Sequence, residues 1–198
     1  MSASRQPRLT PEEYLELDRA AEFRSEYYGG LMYAMSGGSL RHAVIIATLI
    51  QRLANALEDG PCTVASNDLR LRVSPDGLYG YPDLMVYSGS PKLADAHSDT
   101  LLNPTFLAEV LSPSTEGYDR GFKSSQYRKI ESLQEYALIS QDEARVEVYR
   151  RQSSGDWLLS ESAGLDTVCR FTSLDCQVAL ASIYAKVTLP SDGGVPGR

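Results

Sequence analysis

Apolar side chains return along this chain at two different periods, and each change of period marks a new element. Between Leu40 and about Glu58, Ile46, Ile50, Leu53 and Leu57 recur at three- and four-residue steps, with Gln51, Arg52 and Asn55 opposite. That pattern predicts a long amphipathic helix with Ser39 as its N-cap. In LRLRVS (69–74), Leu69, Leu71 and Val73 alternate with Arg70 and Arg72, which predicts a strand with one buried and one wet face. CTVAS, DLMVY and FLAEVLS are further strand candidates in this part of the chain. Asn67-Asp68, Pro75-Asp76-Gly77 and a loop from Ser88 to Pro104 separate the strands.

The flanks carry their own signals. TPEEYLELDR reads as a short helix, with Thr10 and Glu13 as a capping box and Pro11 in the first helical position. SEYYGGLMYA reads as a hairpin turning at Gly29-Gly30. After FLAEVLS the pattern predicts a helix of about four turns, from about Glu116 to Glu131. EYALIS, RVEVYRR, WLLSE and DTVCRF then read as strands, and ALASIYAKV as a closing segment. The expected fold is α/β (α+β), with a mixed β-sheet core flanked by helices and an N-terminal hairpin. A chain of 198 residues suits one domain, placed at 9–189, with 1–8 and 190–198 expected to be disordered.

Composition narrows the function. With 42% apolar and 23% charged residues the chain has the makings of an ordinary globular protein. Its three cysteines, Cys62, Cys169 and Cys176, lack metal-ligand spacing and cannot close a complete set of disulfides, so a reducing cytoplasm is expected. The longest apolar run, Ala43 to Ile50, is far short of the ~20 residues a membrane span needs, so no membrane partner is expected. A net charge of −7 argues against a protein that coats nucleic acid, because such binding depends on a basic surface. There is no zinc-ligand spacing, Gly-rich phosphate loop or G-x-S-x-G turn.

Two carboxylates break the apolar logic. Glu109 shares a strand face with Leu107 and Leu111, and an ionised carboxylate there is costly unless it is paired or holds a metal. Asp83 follows Pro82 at the start of another short apolar run, so the two acids stand on successive strands and can meet. Asp119, Lys123 and Tyr127 are spaced four apart on the following helix, close in the chain to the end of the Glu109 strand. Lys123 can therefore reach back toward the acids. Arg120, Lys123, Arg128 and Lys129 make a basic cluster that fits either a phosphate track or a solvated face.

Pro82-Asp83 followed by Glu109-Val110-Leu111 resembles the motif of the PD-(D/E)XK nuclease superfamily. EVLSPST with Asp119, Lys123 and Tyr127 is similar to the Uma-type family of restriction endonucleases, and the likeness runs from TPEEYLEL through the later strands. The resemblance implies a restriction-endonuclease-like fold and Mg²⁺-dependent cleavage of DNA, with Mn²⁺ as a substitute, in a homodimer. It implies that Asp83, Glu109 and the Val110 carbonyl hold the metal. Lys123 takes the place of the motif's lysine, since Leu111 stands two residues after Glu109. Glu26 is implied as a further acid of the site. Ser112, Thr115, Arg120, Tyr127 and His42 are the expected nucleic-acid contacts. The competing reading makes Glu109 part of a buried ion pair with Lys123 or Arg70, Asp83 a turn cap and His42 a helix-start residue. The alternative function is a non-catalytic nucleic-acid- or partner-binding relative with the same fold.

Overall fold

The computed structural model describes residues 8–35 and 37–190; the ends expected to be disordered lie, apart from Arg8 and Pro190, outside the described residues. The chain begins with α1 (Pro11–Ala20), the hairpin β1 (Ser25–Tyr28) and β2 (Leu31–Ala34), and then α2 (Leu40–Ala56). Strands β3 (Cys62–Ser66), β4 (Arg70–Arg72), β5 (Tyr79–Gly80), β6 (Leu84–Ser88), β7 (Thr100–Leu101) and β8 (Phe106–Leu111) follow. A helical segment comes next: α3 (Glu116–Tyr118), a π-helical turn (Asp119–Lys123) and α4 (Ser124–Tyr127). The rest is β9 (Glu135–Ser140), β10 (Arg145–Arg151), β11 (Trp157–Ala163), β12 (Val168–Phe171), β13 (Cys176–Ala179) and α5 (Leu180–Ile183).

Local chemistry sets the first elements as the sequence predicts. The Thr10 hydroxyl accepts from Glu13 N, and the Glu13 carboxylate accepts from Thr10 N, so both arms of the capping box are present. Gly29 and Gly30 turn the hairpin at φ +59° and +86°, a left-handed pair of positions that suits a two-residue loop and disfavours residues with a Cβ.

The strands form two mixed sheets and a ribbon where the sequence suggested one mixed sheet. One sheet has the order β11-β10-β9-β8-β6-β3, with β8 and β9 parallel; the other has the order β2-β1-β5-β4-β7, and β12 pairs with β13. LRLRVS therefore leaves its sequence neighbours CTVAS and DLMVY for the second sheet. Alternation along β8 divides its side chains between two cores. Ala108 and Val110 face α2 and α5, whereas Leu107 and Leu111 join Leu71, Met85, Tyr127 and Tyr136 on the other face.

Three further expectations are corrected. On α2 the fully buried row is Ile45, Leu49 and Leu53, with Ile46 and Ile50 packed at its margin, because the axis of contact runs one residue earlier. The predicted wet face of β4 is dry at Arg70, which is 3% exposed and donates to Asp18 Oδ2 at 2.7 Å, since α1 covers it. The helix after β8 ends at Tyr127 and widens into a π-turn at its middle, so it is shorter than 116–131 and not uniformly α.

Candidate active site

Strand register brings the two puzzling acids together. Antiparallel β6 and β8 pair Leu84 with Ala108 and Met85 with Leu107, so one step further places Asp83 opposite Glu109. Each carboxylate then accepts from the other strand's backbone: Val110 N donates to Asp83 Oδ2 at 2.8 Å, and Asp83 N to Glu109 Oε2 at 3.3 Å. The Glu109 carboxylate is 3% exposed and points into the same core face as Leu107.

The helical segment supplies the counter-charge. Lys123 Nζ lies 3.1 Å from Glu109 Oε1, 3.2 Å from Asp119 Oδ1 and 3.3 Å from Glu26 Oε1. The π-turn that carries Asp119 and Lys123 is the kind of local widening that recurs at functional positions, and here it turns both side chains inward. Glu26 arrives from β1 in the second sheet, where Gly80 stands beside it; a Cβ at Gly80 would come within 3.2 Å of Glu26 Oε1. Tyr127 donates to Glu109 Oε1 at 2.9 Å and Tyr118 to Glu26 Oε2 at 2.9 Å.

Three carboxylates (Glu26, Glu109 and Asp119) thus surround one ammonium, with Asp83 beside Glu109 as a fourth acid, and the electrostatics show the imbalance. Burial pushes Glu109 up to about 8, against the pull of Lys123, and Asp83 and Asp119 add to the rise. Burial raises Asp119 as well. Burial works against the charge on Lys123, yet Glu109, Glu26 and Asp119 together outweigh it and hold its pKa well above the ordinary lysine value. Lys123 is therefore placed to act as the cation of the site. His42, at the start of α2, sits with Nε2 3.3 Å from Asp83 Oδ2; that hydrogen bond raises its pKa against the effect of burial, and the Val110 carbonyl adds to the rise. Glu26 Oε1 and Asp119 Oδ1 are buried, with the Lys123 ammonium at 3.3 and 3.2 Å as their counter-charge.

A cavity of about 270 Å³ opens onto this cluster, lined by His42, Asp83, Glu109, Val110, Ser112 and Lys123 among others. Among the described residues no three His, Cys, Asp and Glu side chains form a ready-made metal cluster, because the acid oxygens are turned toward Lys123 and His42. The donor chemistry nonetheless fits a hard divalent cation: two reciprocally bonded carboxylates, a neighbouring carbonyl and an excess of buried negative charge.

The remaining predicted residues divide. Ser112 and Thr115 line the cavity and hydrogen-bond each other through their hydroxyls. Arg120 is turned away from it and held by Glu116 and Glu147, so its guanidinium is spent on structure. Tyr127 is fully buried, so it serves Glu109 and offers no surface to nucleic acid. Of the expected basic track only Arg128 and Lys129 are exposed. Sequence reasoning missed Tyr118 and Tyr136, whose hydroxyls bond Glu26 and the Asp119 carbonyl, and no local pattern singles them out.

Comparison with known proteins settles the family. Residues 11–181 match the Uma2 family model, described as "Putative restriction endonuclease". The chain belongs to that family. A Synechocystis protein designated slr1290 is 35% identical over 179 residues, covering 90% of this chain and 92% of its own. A second Synechocystis protein, sll1609, is 35% identical over 164 residues, covering 83% and 93%. A crystal structure described as "a putative nuclease belonging to DUF820" from Anabaena variabilis superposes with a TM-score of 0.73 at 20% identity, covering 89% of this chain and 98% of that one. This chain therefore has the nuclease-like α+β fold that the sequence suggests. Among the described residues no helix is long and apolar enough to cross a membrane.

Proposed function

We propose that this member of the family is a Mg²⁺-dependent endonuclease that hydrolyses DNA phosphodiester bonds, acting in the cytoplasm as a homodimer. The observation that carries the reading is the reciprocal bonding of Asp83 and Glu109 beside a buried lysine, in a cavity open to a ligand. Asp83, Glu109 and the Val110 carbonyl would hold the metal, with Mn²⁺ able to replace Mg²⁺. When bound, a divalent cation supplies charge stabilisation at the scissile phosphate and acidifies water there.

The chain's own groups have separable tasks. Lys123 stays protonated and offers its ammonium to a phosphate oxygen, which places a positive charge where negative charge develops. Asp119 and Tyr136 hold the π-turn that carries the ammonium, Asp119 through the ion pair and Tyr136 by donating to the Asp119 carbonyl. Glu26, its carboxylate oriented by Tyr118, would accept a proton from an attacking water. His42 bonds Asp83 through Nε2 and lines the cavity with Ser112 and Thr115, where the three would contact the nucleic acid.

A second reading rests on one observation: Arg120 and Lys123 are both engaged by carboxylates in an acidic chain, which favours a binding module without cleavage. Plasmid nicking with Mg²⁺ or Mn²⁺ separates the two. The nuclease reading expects metal-dependent nicking that falls at least about 100-fold in Asp83→Ala and Lys123→Ala. Nicking of equal rate in both variants, or none with either metal, rejects it.

A further inference from the structure

Beside the carboxylate cavity lies a second one of about 510 Å³ whose aromatic wall has no part in the cleavage chemistry proposed above beyond Tyr118. It shares Met35, Thr115 and Lys123 with that cavity and adds Glu26, and the rest of its wall is mainly aromatic. Tyr118 and Phe122 lie ring on ring, 5.3 Å between centroids and 16° apart in plane, and Tyr28 meets Phe122 edge-on at 4.7 Å. Tyr33 closes one side from β2 and is 48% exposed. These rings come from two separate parts of the chain: the hairpin supplies Tyr28 and Tyr33, and the helical segment after β8 supplies Tyr118 from α3 and Phe122 from the π-turn.

The wall is bonded to the acids. Tyr118 donates to Oε2 of Glu26, whose second oxygen is paired with Lys123, and the Lys123 ammonium sits 5.5 Å from the centre of the Tyr118 ring. A group held against these rings is therefore next to the atoms that would receive a phosphate. The charge distribution says what kind of group that is. A chain of net charge −7, with Arg120 and Lys123 already engaged, has little cationic surface to hold a backbone, so affinity has to come from elsewhere. Stacking on aromatic rings provides it without phosphate neutralisation, and every base has a face to stack.

We infer that this aromatic cavity is a base-stacking subsite, which takes an unpaired nucleobase of the DNA strand whose phosphate lies at the carboxylates. The inference rests on the nuclease reading of the neighbouring site. A paired base is stacked between its neighbours and cannot enter, so the preferred substrate is single-stranded or locally opened DNA.

Fluorescence anisotropy tests it with the full chain, Ca²⁺ in place of Mg²⁺, and three labelled probes: a mixed-sequence single strand, the same strand built of abasic residues, and the duplex. The base-bearing strand is expected to bind about tenfold more tightly than either of the others. Tyr33→Ala, at an exposed position, and Phe122→Leu should each remove about that factor for the base-bearing strand and leave abasic binding unmoved. Equal affinity for base-bearing and abasic strands, unchanged affinity in Tyr33→Ala, or binding of none of the probes overturns the subsite. Nicking assays on the same preparations keep the two readings apart. Metal-dependent nicking without base-dependent binding leaves the nuclease and removes the subsite; base-dependent binding without nicking does the reverse.

Discussion

Asp83 and Glu109 each accept a hydrogen bond from the other's strand, Asp83 from Val110 N at 2.8 Å and Glu109 from Asp83 N at 3.3 Å. The pair is thus built by backbone register and does not depend on side-chain chance. Removing one member should be felt by the fold as well as by chemistry. Asp83→Ala leaves the Val110 N–H without its acceptor and should cost about 1–3 kcal/mol, read from urea denaturation. A variant as stable as the parent would mean that this bond is not formed in solution.

Lys123 is the hub of three carboxylates. Lys123→Met keeps the length of the stem and deletes the charge, leaving Glu26, Glu109 and Asp119 facing one another. Breaking a buried pair in this way typically costs about 3–5 kcal/mol, and here protonation of Glu109 can relieve part of it. The loss should therefore be smaller at pH 5 than at pH 9, as compared by chemical melts at the two values. A pH-independent loss would show that the acids do not repel one another.

The Glu109 carboxyl gives a pH dependence of definite sign in metal-free protein. Burial raises its pKa from 4.5 to about 8 in the folded state, so between these values the folded chain binds a proton that the unfolded chain has released. Its contribution is fully present below pH 4.5 and is lost as pH rises through about 8. His42, also raised through its bond to Asp83, loses its contribution in the same direction. Stability of the metal-free protein should fall across this window, and Glu109→Gln, which carries no proton to lose, should flatten the fall. The slope of melting temperature against pH checks it in both proteins.

What the sequence discloses of all this depends on how local the cause is. The Thr10–Glu13 box and the Gly29-Gly30 turn are settled by neighbours within a few residues, and both were legible. Glu109 was legible because one charge interrupts a period-two apolar row, and Asp83 because it heads the apolar run that pairs with it, although β7 intervenes in the chain and joins the other sheet. Arg70 was not, since the acid that buries it lies in α1, 52 residues away in the chain. The division of the strands between two sheets has the same origin: pairing of β1 with β5 brings Glu26 to the site, and no local pattern records it. The fate of Arg120 is likewise decided by Glu147 on β10, which turned an expected phosphate contact into a brace. The π-turn has only four-residue spacing behind it, which an α-helix would satisfy equally well.

Metal binding and the Glu109 proton compete for one carboxylate. A ligand must be deprotonated before it can coordinate, so each bound ion would displace the proton that burial places on Glu109 below about pH 8. In a thermal-shift titration the apparent affinity for Mn²⁺ should rise by about tenfold per pH unit up to that value and level off above it, the mark of one proton released per ion. Tyr127→Phe sharpens the comparison. Its hydroxyl donates to Glu109 Oε1 at 2.9 Å and so favours the ionised acid; without it the acid holds its proton to higher pH. The levelling-off should then move to higher pH in Tyr127→Phe and vanish in Glu109→Gln along with most of the affinity. A Mn²⁺ affinity that is flat with pH, or that survives Glu109→Gln unchanged, would place the ion somewhere other than on this pair of strands.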